Sequence, residues 1–74
     1  MGLMRVLDHT GDLTVDWEPS DVNALKKARE LFDQLGQQGR VAFQRTGGTR
    51  EFERVEHFDA AAAEIIWIRP IQGG

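Results

Sequence analysis

Apolar and polar residues alternate without a break over Leu13-Thr14-Val15-Asp16-Trp17, which is the period of a half-buried strand. The alternation puts Leu13, Val15 and Trp17 on a buried face and Thr14 and Asp16 on a wet one. Upstream, Leu3-Met4-Arg5-Val6-Leu7-Asp8 predicts a first strand that adds Met4 and Val6 to the buried set. His9-Thr10-Gly11-Asp12 then joins the two as a hairpin turn, with Gly11 supplying the positive φ.

Glu18-Pro19-Ser20-Asp21 ends the second strand, because proline has no ladder donor, and starts a helix, because Ser20 or Asp21 can accept from the first free amides. Beyond it Val22, Leu25, Ala28, Phe32 and Leu35 recur in steps of three and four and trace one apolar stripe, with Leu31 on its flank. Lys26 with Glu30 and Arg29 with Asp33 are spaced i,i+4 on the solvated side. Gly36 and Gly39 are expected to stop the helix as left-handed caps.

Arg40 to Arg45 predicts a third strand, Thr46-Gly47-Gly48-Thr49 a turn, and the weakly alternating Glu51 to Phe58 an edge strand. Ala60 to Ala63 has high helix propensity but is too short to stand alone, so it is expected to form one turn between strands. Four large apolar residues in a row, Ile65-Ile66-Trp67-Ile68, require cover on both faces and predict a central strand. One amphipathic helix covers only one face of such a sheet. The expected fold is therefore two-layer α+β, with a mixed four- to five-stranded sheet and one helix across it. If the last strand lies beside the first, the two are parallel and the arrangement is a β-grasp.

Length and composition narrow the picture. A chain of 74 residues has room for one core, here expected over residues 1–71 with a flexible tail at 72–74. It has no cysteine and only two histidines, His9 and His57, so neither disulfides nor a closed zinc site is expected, which suits a reducing compartment such as the cytoplasm. Twelve acidic against nine basic side chains leave a net charge of −3, which gives no reason to expect nucleic acid or an anionic membrane as partner. No signal peptide and no membrane span is expected.

The order of elements, the Thr10-Gly11 turn, the segment Leu13 to Asp21 and the ending Arg69-Pro70-Ile71-Gln72-Gly73-Gly74 resemble ubiquitin and the β-grasp ubiquitin-like family over nearly the whole chain. The proline and diglycine of that ending are also similar to the small sulfur carriers of molybdopterin and thiamine biosynthesis. The Gly47-Gly48 turn, the alanine run, the presence of only two lysines (Lys26 and Lys27) and Pro70 depart from ubiquitin. These departures point to a bacterial or phage-borne relative without lysine-linked chains.

The resemblance implies a protein modifier or sulfur carrier that is not itself an enzyme and uses no cofactor. A partner adenylating enzyme would join Gly74 to AMP, and the acyl group would pass to an acceptor protein or a sulfur donor. Gly73 and Gly74 suit a tail threaded to a nucleotide because neither carries a Cβ. The plainer reading of the same residues is a frayed terminus. The alternative function is a β-grasp interaction module that is never conjugated and acts by binding.

Other constellations carry less. Asp8, His9 and Asp12 share one turn, where aspartate ordinarily caps backbone amides, so no metal site is expected there. No nucleophile and base set can be assembled, and Gly47-Gly48 lacks the lysine and helix of a phosphate loop. Trp17 and Trp67 share the core parity of their strands. If Ile65 and Trp67 face the helix, Ile66 and Ile68 face away, where Ala42 and Leu7 are expected to join them in a small partner-binding patch.

Overall fold

The structure, a computed structural model, describes residues 1–7 and 11–69. Strand β1 (Gly2–Val6), strand β2 (Leu13–Trp17), helix α1 (Val22–Gln37) and strands β3 (Val41–Thr46), β4 (Glu53–Val55) and β5 (Ala62–Ile68) follow in chain order. The strands form one sheet in the order β2-β1-β5-β3-β4. Strand β1 pairs antiparallel with β2 and parallel with β5, while β5 and β4 both pair antiparallel with β3. The helix lies in the crossover between the β1–β2 hairpin and the rest. This is the expected two-layer α+β arrangement with a β-grasp layout.

Local chemistry sets the helix ends. Asp21 is the N-cap, its Oδ1 accepting from the backbone N–H groups of Asn23 and Ala24 at 3.1 Å each. At the other end the Arg40 N–H donates to the Leu35 carbonyl and the Gly39 N–H to the Gly36 carbonyl, with Gly39 at φ +81°. That pair of bonds is a Schellman motif, and it needs one left-handed residue. Gly39 fills this role. Gly36 was expected to share it and does not, since it lies inside the helix without a positive φ.

The core is built from Met4 and Val6 of β1, Trp17 of β2, Ala28, Phe32 and Leu35 of α1, Ala42 of β3, and Ala62, Ile65 and Trp67 of β5. Four aromatic rings run through it edge to face: Trp17 against Phe58, Phe58 against Phe32, and Phe32 against Trp67, with centroids 5.2, 6.0 and 4.7 Å apart. Such pairs add to the free energy of burial because ring edges meet ring faces. Phe58 comes from the connection between β4 and β5, not from an edge strand reaching that far. The Trp17 indole N–H donates to the Ala60 carbonyl at 3.1 Å, which ties the same connection to β2.

Several apolar positions depart from the expected pattern. Val22 begins the predicted stripe but, as the first residue of α1, is 77% exposed. Leu13 has the parity of Trp17 but is 53% exposed at the far end of an edge strand. The alanine run divides: Ala60 and Ala61 form a turn, and Ala62 and Ala63 begin β5. The Asp59 carboxylate accepts from the Ala61 N–H at 2.9 Å and its carbonyl from the Ala62 N–H at 3.1 Å, so an aspartate turn overrides helix propensity here. Arg45 pairs with Glu64 and Thr46 with Ala62, leaving Ala63 as the extra residue of a β-bulge. The bulge returns Ala62 to the helix side, where it is 2% exposed.

Candidate functional site

The register of the sheet decides which side chains share its outer face, the face that α1 does not cover. In a sheet, residues directly opposite each other point the same way, and successive residues alternate. Ile65 and Trp67 are buried on the helix side, so Glu64, Ile66 and Ile68 face outward. Ile66 lies between Arg5 of β1 and Phe43 of β3, and Ile68 opposite Val41. Glu64 lies between Leu3 and Arg45, and Phe43 opposite Arg54 of β4. Val41, Phe43, Ile66 and Ile68 are each half-buried, although no element among the described residues forms a second layer over them.

Of the residues expected to share the outer face, Ile66 and Ile68 do face outward, whereas Ala42 does not. Ala42 pairs with Trp67, faces the helix and is 2% exposed, so it belongs to the core. Its neighbours Val41 and Phe43 take its place. An apolar run such as Val41-Ala42-Phe43 does not reveal its own parity. The charges do, because Arg45 must face Glu64 to form an ion pair, which places Phe43 and Val41 on the outer side with Ile66 and Ile68. Leu7 continues the outward parity of Leu3 and Arg5 just past the end of β1, is 37% exposed, and donates its N–H to the Trp67 carbonyl at 3.0 Å.

Glu64 is held between two arginines, 3.7 Å from the Arg5 guanidinium and 3.5 Å from that of Arg45. Together with Arg54 the outer face carries three arginines against Glu64 and Asp16, an excess of positive charge on a chain whose net charge is −3. Like charge across a two-fold axis would oppose the stacking of two copies on this face.

Gly73 and Gly74, the expected site of activation, lie outside the described residues, as do Asp8 and His9 of the turn considered for a metal ion. Among the described residues no group of three His, Asp or Glu side chains is placed to hold a metal. His57 is exposed in a bend after β4, not in an edge strand. Trp17 and Trp67 are both 2% exposed, so they are core residues, as their parity predicts. Among the described residues no helix is long and apolar enough to cross a membrane. Comparison with protein-family models, with curated proteins and with solved structures returned no match.

Proposed function

We propose that the chain is a ubiquitin-like modifier or sulfur carrier, docked by a partner on its outer sheet face and activated at the Gly74 carboxylate by an adenylating enzyme. The observation that carries this reading is the β-grasp layout, in which β5 lies mid-sheet beside a parallel β1. Fold alone hosts many functions. Two further features support this one: the resemblance of the Arg69 to Gly74 sequence to carrier tails, and a half-buried apolar row of Val41, Phe43, Ile66 and Ile68 on the uncovered face. In this reading the chain supplies no catalytic side chain. Its reacting group is the carboxylate, whose oxygen attacks the α-phosphorus of ATP and releases pyrophosphate. An amine, a thiol or a sulfur donor then displaces AMP.

The test is exchange of labelled pyrophosphate into ATP, together with intact mass, in the presence of the cognate adenylating enzyme. Wild-type chain exchanges. Chain lacking Gly73 and Gly74 binds the enzyme but does not exchange, and Ile66→Asp melts as a folded protein but binds weakly. A wild-type chain that binds through the outer face yet never exchanges or gains mass would leave the other reading, an interaction module acting only by binding.

A further inference from the structure

The sheet ends on two unlike strands. At one edge β4 is only three residues long, and two of them, Glu53 and Arg54, are charged. Shortness and charge are devices by which an edge strand avoids pairing with another chain. At the other edge β2 makes little use of them. Its five residues pair with β1 in an unbroken register, without bulge, proline or lysine, and Asp16 is its one charge. Among the described residues no strand lies on its far side. Thr14 and Asp16 are exposed, and Leu13, on the helix side of the sheet, keeps 53% of its surface in water.

An edge strand offers unpaired N–H and C=O groups to a further strand, and the sequence of β2 fits itself. In antiparallel pairing the numbers of facing residues have a constant sum, so only a two-fold axis at Val15 pairs all five residues with those of a second copy. In that register Thr14 faces the partner's Asp16, Val15 the partner's Val15, and Leu13 the partner's Trp17. Residues directly opposite point the same way. Hydroxyl therefore meets carboxylate on the outer face, and the apolar residues share the inner one. No like charges face each other within the strand. Moving the axis to Asp16 would instead set two carboxylates side by side. Beyond the strand, Asp12 and Glu18 come opposite each other at both ends, which limits the pairing to these five residues.

We propose that β2 pairs antiparallel with β2 of a second copy about a two-fold axis at Val15, joining two five-stranded sheets into one. The interface is small and each copy carries a net charge of −3, so the dimer is weak and tightens with added salt. It uses neither the Gly74 carboxylate nor the row of Val41, Phe43, Ile66 and Ile68, so it stands or falls independently of the function proposed above.

Sedimentation velocity of the full chain from about 10 µM to about 1 mM, where a small interface associates, is the test. Wild type should pass from monomer to dimer over that range, and more readily at high salt. Thr14→Asp sets two carboxylate pairs across the axis and should raise the dissociation constant at least about threefold, whereas Thr14→Lys should lower it by a similar factor. Thr14→Asp combined with Asp16→Lys restores opposite charges in this register and should return association to the wild-type level or above. Both positions are exposed, and melting temperatures check that each variant is folded. A wild type that stays monomeric at about 1 mM or associates less at high salt would overturn the proposal. So would a folded Thr14→Asp variant as tight as wild type, a Thr14→Lys variant no tighter, or a double variant that does not recover.

Discussion

Gly2 and Trp17 face each other across β1 and β2, and the Trp17 indole occupies the space that a Cβ on Gly2 would need. One of the two largest buried side chains thus lies on a position with no side chain at all. Trp17 in turn reaches Phe58 and the Ala60 carbonyl, so this one contact positions the edge strand and the β4–β5 connection together. Gly2→Ala should overpack the site and cost about 1–3 kcal/mol. A melting temperature within a degree of wild type would show that the indole can move aside freely.

Burial along the helix predicts unequal effects within one stripe. Phe32 touches Phe58 and Trp67 and is 3% exposed, so Phe32→Ala should cost about 3–5 kcal/mol, a large share of the stability of so small a domain. Val22→Ala, in the exposed first turn, should change stability by no more than about 0.5 kcal/mol. Urea unfolding of the two variants checks the contrast, and equal losses would contradict the placement of α1.

Capping gives a second contrast. Asp21 satisfies two N–H groups of α1 and its neighbour Ser20 has no such role, so Asp21→Ala should cost about 0.5–2 kcal/mol and Ser20→Ala about 0.5 at most. Denaturation midpoints of the pair decide it.

Gly36→Ala should stabilise the protein by up to about 1 kcal/mol, since the added methyl meets only ordinary contact and the helix gains propensity. For a domain of this size that gain is a rise in melting temperature of about 4–8 °C per kcal/mol. A fall in melting temperature would mean that Gly36 is needed by the C-terminal cap.

The Arg5–Glu64–Arg45 cluster is partly open to water, with Glu64 18% and Arg5 44% exposed in their side chains. Glu64→Gln should therefore cost only about 0.2–1 kcal/mol at low salt. The difference should shrink toward zero near about 1 M salt, where screening is nearly complete at these distances. Thermal melts at two ionic strengths provide the measurement.

The strands, the helix and their order were legible because each rests on short-range chemistry. Alternation marks β2, steps of three and four mark α1, Ser20-Asp21 and the pair Gly36 and Gly39 bracket its ends, and four large apolar residues mark β5 as central. The outer face of the sheet was legible only in part. Ile66 and Ile68 follow from the parity of β5, but Val41 and Phe43 stayed hidden because an apolar run reads alike in either register. Arg45 and Glu64, opposite charges on facing strands, were the one local signal able to settle it.

Sequence alone determined the order and approximate place of the strands and the helix, and that a single helix must leave one sheet face open. The tertiary structure decided the rest: that Val22 and Leu13 are left exposed, that the alanine run splits at a bulge, and that Phe58 enters the core. The physical reason is range. Turns, caps and periodicity depend on residues a few positions apart, whereas burial of an apolar side chain depends on which distant element reaches it, and that is set only when helix and sheet meet.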